Sequence, residues 1–144
     1  MVIIAAADRS DRAQNTVAEA VEIAQAFNDQ IDVVHVLTRS QFIELEQTEV
    51  AKSGRPVKLD RVREFAAKQA ERATEGVKTD APIEHVGLVG KAADEVLSYA
   101  TDKEARYIVV GSRNKSPAGK ALFGSVSQRI LLNSDCPVVV TMQT

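Results

Sequence analysis

The feature that most constrains this chain is a regular alternation between two kinds of segment. Five short runs rich in β-branched residues, VIIAAA (2–7), IDVVHVL (31–37), PIEHVGLV (82–89), RYIVVG (106–111) and PVVVTM (137–142), punctuate the sequence. Between them, apolar residues return every three or four positions: Val17, Ala20, Val21 and Ala24 in the first interval, Val62, Phe65, Ala66 and Ala70 in the second. The runs read as strands and the intervals as helices. The third interval, AADEVLSYATD, keeps Ala93, Val96, Leu97 and Ala100 in register. In the fourth, SVSQRILLNS, Val126, Arg129, Ile130 and Asn133 share a face that is only partly apolar.

Strand then helix, four times over and closed by a strand, predicts a parallel sheet, because parallel neighbours need a crossover between them. The predicted class is α/β: a three-layer, Rossmann-like sandwich with a five-stranded parallel sheet and helices on both faces. The near-continuous apolar content of 2–7 and 107–110 agrees, since central parallel strands are covered on both sides. A chain of 144 residues fits one domain, 1–144. Residues 40–58, polar and interrupted by Gly54 and Pro56, read as a partly helical excursion or a plain surface connection.

Composition removes several function classes. Charged residues make up 26% and the net charge is −2, so no single-signed field invites nucleic acid or an anionic membrane. No stretch approaches ~18 consecutive apolar residues and no basic-flanked leader is present, which predicts a cytoplasmic protein. The lone Cys136 allows no internal disulfide and no C-x-x-C motif. His35 and His85 lie inside strands, and there is neither a G-x-S-x-G elbow nor an H-x-x-x-H pair. No catalytic residue and no metal ligand is therefore expected; Asp8 could at most help hold Mg²⁺ through water.

In open parallel sheets, ligands bind beyond the carboxyl ends of the strands. The first run exits at Asp8, and the fourth into GSRNKSPAGKALFGS (111–125). That stretch departs twice from the P-loop pattern G-x-x-x-x-G-K-[ST]: Asn114 takes the first glycine's place, and Ala121 has no hydroxyl for Mg²⁺. Its end is more informative. Ser125 with Gln128 three residues on predicts a capping box, and Gly124 would let a ligand approach the backbone. The first-turn amides and the helix dipole would then face a phosphate, or Gly124 and Ser125 merely start a helix.

Taken together, ADRS at the first strand exit, VVHVL as second strand and YIVVGSRN…LFGSVSQRILLNSDCPVVVT as the C-terminal third resemble the universal stress protein family, in the adenine-nucleotide α-hydrolase-like superfamily. The resemblance runs the length of the chain. The family's nucleotide-binding branch carries G-x2-G-x9-G-[ST], matched here by Gly111, Asn114, Gly124 and Ser125 with asparagine at the second glycine. Asparagine tolerates positive φ better than other side chains, so it is expected to keep the turn. Pro117 removes one amide from the same loop. The resemblance implies strand order 3-2-1-4-5. It also implies that Asp8 and the Val36 backbone meet adenine, that Val110 and Gly111 line base and ribose, and that Asn114, Gly124, Ser125 and Val126 face the phosphates. Arg113, Lys115 and Lys120 could add charge there or form a solvated loop; Asp8 could instead cap the first helix. The implied ligand is ATP, with or without Mg²⁺. The implied role is a nucleotide-dependent regulator of the stress response that acts on an unidentified protein partner and pairs as a homodimer through its last strand. A nucleotide-free dimeric interaction module and a weak ATP hydrolase are the alternatives.

Overall fold

The computed structural model describes residues 1–114, 116–120 and 122–143, with Asn114 and Gln143 as backbone only. The five runs form β1 (Val2–Ala6), β2 (Gln30–Leu37), β3 (Ile83–Val89), β4 (Tyr107–Asn114) and β5 (Val138–Gln143). They pair in parallel in the order β3-β2-β1-β4-β5. Five helices connect them: α1 (Ala13–Phe27), α2 (Arg39–Ser53), α3 (Leu59–Thr74), α4 (Ala92–Asp102) and α5 (Ser125–Asn133).

Alternation along the central strands sends side chains to two faces. Ile3, Ala5, Ile31 and Val33 pack with Val17, Val21 and Ala24 of α1 and Ala70 of α3. Val2, Ile4, Val34 and Val36 pack with Val96 and Ala100 of α4 and Ile130 of α5. These two apolar layers make the three-layer sandwich that the alternation predicted. On the β3 side α3 lies so close that a Cβ at Gly87 would collide with the Arg63 carbonyl and the Ala67 amide. No helix among the described residues is long and apolar enough to cross a membrane.

Two segments differ from the sequence reading. The 40–58 excursion resolves into α2 and a short link before α3. Helix α2 buries no residue, and only Phe42 and Leu45 rest against Leu37, Val62 and Ala66. Its limits are set by end chemistry: a capping box at Thr38 starts it, and Gly54, left-handed at φ 71°, ends it. The second difference is β4, which continues past residue 111 to Asn114, paired with Gln143 across an irregular register. The cause is non-local. Arg113 N–H donates to the Leu122 carbonyl at 2.6 Å, so the chain leaves after 114 and returns at 122 in an antiparallel bridge. Asn114 therefore ends a strand where a turn residue was expected.

Candidate functional site

β1 sits between β2 and β4, and the chain leaves β1 for α1 on one face and β4 for α5 on the other. A crevice must open where the two connections diverge. A cavity of about 350 Å³ lies there. Its floor is made by the ends of β1, β2 and β4. Thr38 and Gln41 stand at one end, and Gly124 to Ser127 at the other.

Of the residues singled out from sequence, Asp8, Val36, Val110, Gly111, Gly124, Ser125 and Val126 all line this cavity. The Asn114 side chain lies outside the described part of the structure, as do Lys115 and Ala121. Lys120, the lysine of the P-loop-like GK, is exposed in a turn closed by Ser116: the Ser116 N–H donates to the Lys120 carbonyl at 2.8 Å. It is not one of the cavity walls. His85 is half-buried and bonded to Thr74 at 3.1 Å, a packing role. Cys136 is partly buried, its amide donating to Ser134 Oγ.

At the β2 end, backbone polarity faces the cavity. The Ala7 N–H donates to the Val34 carbonyl, which puts the polar groups of Val34 on the β1 side. Two residues on, those of Val36 face the same side, beyond Ala6 where β1 has ended. A donor and an acceptor on one residue thus stand at the cavity edge with no strand to pair them. Beside them, Asp8 does not cap α1, whose N-cap is Arg12. Its Oδ1 accepts from the Ser10 N–H at 2.8 Å and the Ser10 hydroxyl at 2.5 Å, fixing the carboxylate at the exit of β1.

His35 lies in the floor at 4% exposure, with Nδ1 2.8 Å from the Ala7 carbonyl. A carbonyl can only accept, so Nδ1 carries the proton in this contact and Nε2 is left with a lone pair. Nε2 is buried and has no partner among the described residues. Burial holds the imidazole pKa below its ordinary value, against the opposing effect of the Ala7 bond. The floor is accordingly neutral.

Three guanidinium groups line the cavity against a single carboxylate, Asp8: Arg9 and Arg12 in the connection after β1, and Arg113 near the end of β4. A Cβ at Gly124 would stand 3.4 Å from Arg113 Nε, so the guanidinium lies directly beside the start of α5. The predicted capping box is not formed. Gly124 is the N-cap and Ser125 the first helical residue, with no side-chain cap bond. The helix starts one residue earlier than a Ser125 cap requires, so the hydroxyl sits inside the first turn and cannot reach the amides ahead of it. Those amides have no intrahelical acceptors. Ser127 Oγ donates to the Gly111 carbonyl at 3.0 Å and ties this first turn to β4. Uncapped amides, the helix dipole and the Arg113 guanidinium make the α5 start an anion-accepting end. Among the described residues no three His, Cys, Asp or Glu side chains gather to hold a metal ion.

Sequence reading missed Arg9, Arg12, Thr38, Gln41 and Ser127. For Thr38 and Gln41 the signal was present: T-x-x-Q directly after a strand is a capping-box signature. The arginines sat in DRSDR after the first strand. Ser127 carried no distinguishing mark.

The family model described as the universal stress protein family matches residues 1–141. A universal stress protein of Thermus aquaticus is 31% identical over 140 residues, covering 96% of each chain. Among solved structures, one of a universal stress protein in complex with cAMP superposes with a TM-score of 0.64 at 21% identity, over 100% of this chain and 98% of the other. Another, of the universal stress protein of Archaeoglobus fulgidus in complex with dAMP, gives 0.58 at 23% identity, over 96% and 94%.

Proposed function

The chain belongs to the universal stress protein family, and from that premise we propose that it binds ATP in the cavity between α2 and α5 and acts as a nucleotide-dependent regulator of the stress response. The observation that carries the reading is the polarity of the cavity. Paired backbone groups of Val36 stand at one end, and uncapped α5 amides with Arg113 at the other. An adenine nucleotide has the matching order. Its base offers an amine beside a ring-nitrogen acceptor, its ribose is neutral, and its phosphates are anionic. Relatives of the same fold have been solved with cAMP and dAMP, ligands of that shape.

In this reading Asp8 and the Val36 backbone take the adenine end, and Val110 and Gly111 pack against base and ribose. Asn114, Gly124, Ser125 and Val126 face the phosphates. Mg²⁺, where present, rides on the phosphates. A ligand that spans the cavity ties the start of α5 to the ends of β1 and β2. It can shift the surface beside β5 only by binding one arrangement more tightly than another. That surface is the proposed output. β5 is an edge strand with Met142 exposed, which suits pairing with the same strand of a second copy and display of a face to a protein partner in the cytoplasm.

Two measurements test this. Denatured extracts of the purified protein should release adenine nucleotide on chromatography, and calorimetry should detect ATP binding. An empty extract together with no binding at millimolar ATP would overturn the nucleotide reading in favour of a nucleotide-free interaction module. Sedimentation at micromolar concentration should give a dimer; a monomer alone would remove the β5 pairing.

A further inference from the structure

Two polar side chains, Thr38 and Gln41, line the α2 end of the cavity. We infer that Gln41 is a specificity-determining residue whose side-chain amide donates a hydrogen bond to a ring nitrogen of the bound purine. The inference rests on the nucleotide reading above and adds a recognition element to its base end.

The chemistry follows from one bond. The Thr38 N–H donates to Gln41 Oε1 at 3.0 Å, and in return the Gln41 N–H donates to Thr38 Oγ at 3.3 Å. A backbone N–H can only donate, so the amide atom that meets it must be the oxygen. The orientation of the carboxamide is therefore fixed by the helix cap, and its NH₂ group occupies the other branch. That NH₂ has no hydrogen-bond partner among the described residues, and Gln41 is half-buried in the cavity wall. The cap has turned an ambidextrous side chain into a donor.

A donor alone recognises an acceptor alone. The acceptors at the edges of adenine are its unprotonated ring nitrogens, and Val36 on the same strand end already presents both a donor and an acceptor. Gln41 adds a third point at an angle that a single backbone residue cannot supply. A base with C–H or N–H at that ring position would leave the amide unpaired or face it with a second donor, which is how such sites discriminate.

Gln41→Glu isolates this function. A glutamate keeps the capping box, because a carboxylate oxygen accepts the Thr38 N–H as the amide oxygen does. It replaces the NH₂ donor with a second acceptor. Gln41→Met removes the donor without adding charge. AMP and its 1-deaza, 3-deaza and 7-deaza analogues are titrated calorimetrically into the wild-type protein and both variants. In the wild type, one analogue should bind about five- to tenfold more weakly than AMP through loss of the Gln41 bond. That gap should close in Gln41→Met and close or reverse in Gln41→Glu, where a carboxylate meets the ring nitrogen of AMP but a C–H of the analogue, whereas a gap due to the Val36 N–H persists in all three proteins. Ratios to AMP cancel any general repulsion from the added carboxylate. If every deaza gap is the same in wild type and variants, Gln41 does not read the base. If the wild type binds neither AMP nor any analogue, the nucleotide reading itself falls, and this inference with it.

Discussion

Helices α2 and α5 both begin at the cavity, yet they treat their first turns in opposite ways. The first N–H groups of any helix lack intrahelical acceptors. At α2 the Thr38 hydroxyl and the Gln41 amide satisfy two donors reciprocally, and the helix holds its start with its own side chains. At α5 the N-cap is Gly124 and no side chain caps the turn. Helix α5 is anchored by other means, through the Ser127 bond to Gly111 and through Ile130, fully buried in the core. Helix α2 has no fully buried residue, only Phe42 and Leu45 resting on the core, and relies more on its cap. Anchoring by the core leaves a helix start available to a ligand; anchoring by the cap uses it up.

The comparison can be broken most severely by giving α5 the cap it lacks. In Gly124→Asp the carboxylate would accept from the first-turn amides and pair with Arg113. Backbone strain is not at issue, because φ at Gly124 is −73° and the nearest atoms to a new Cβ lie at 3.4 Å or beyond. Helix stability should change by no more than a few tenths of a kcal/mol, about the difference between glycine and aspartate caps. ATP affinity should fall by about a hundredfold, since the charge-assisted contacts of a phosphate group are replaced internally. Calorimetry with thermal melts checks both halves. Unchanged affinity would place the phosphates elsewhere and dissolve the contrast between the two ends.

Removing the cap that α2 has is the complementary change. Thr38→Ala deletes the side-chain acceptor for the Gln41 N–H, which costs about 1 kcal/mol in comparable helices. Because α2 adds no buried residue to the core, the loss should be local. Hydrogen exchange should quicken across 39–53 while the global melting midpoint stays close to that of the wild type. A fall of the midpoint with no selective exchange in α2 would mean that this helix is part of the cooperative core.

Legibility in the sequence follows the same division. Strands β1 to β5 were readable because their β-branched runs are local, and α1, α3 and α4 because each sets buried residues at helical spacing. Helix α2 left no such trace: Phe42 and Leu45 touch the core without forming a stripe, so only Thr38 and Gly54 announced its ends. The Ser125 cap was misplaced by one residue because Gly124 and Ser125 are both acceptable N-caps, and the choice was made by the Ser127–Gly111 contact, a tertiary fact. The extension of β4 likewise depends on Arg113 meeting Leu122. Asp8, Val36 and Gly124 could be grouped from sequence only through the family pattern; the cavity that gathers them arises from strand order.

Between the two ends, His35 tests whether the floor contributes charge. Its folded-state pKa is lowered by burial relative to the ordinary value near 6.5. Below that value the unfolded chain binds more protons than the folded one, so stability rises with pH in this window. The contribution is fully present above about pH 6.5 and is lost as pH falls through the lowered folded pKa. Denaturant unfolding from pH 7 downward should show this slope in the wild type and lose it in His35→Gln. Nucleotide affinity should gain nothing from an imidazolium as pH falls from 8 to 7, because the ring stays neutral there and attraction for an anion comes from the arginines and the α5 start.

The smallest expected effect is at Ser125, and it separates a helix cap from a ligand contact most cleanly. A serine that caps loses about 1 kcal/mol of stability on truncation, as Thr38 should. Ser125 makes no cap bond, so Ser125→Ala should leave stability within about 0.5 kcal/mol of the wild type. Its hydroxyl lines the cavity beside the first-turn amides, and losing one hydrogen bond to a phosphate oxygen should weaken ATP by about three- to tenfold. Melting and calorimetry on the same preparation give both numbers. If stability falls and affinity does not, Ser125 is the cap after all, α5 closes its own start as α2 does, and the anion must be held by Arg113 and its neighbours instead.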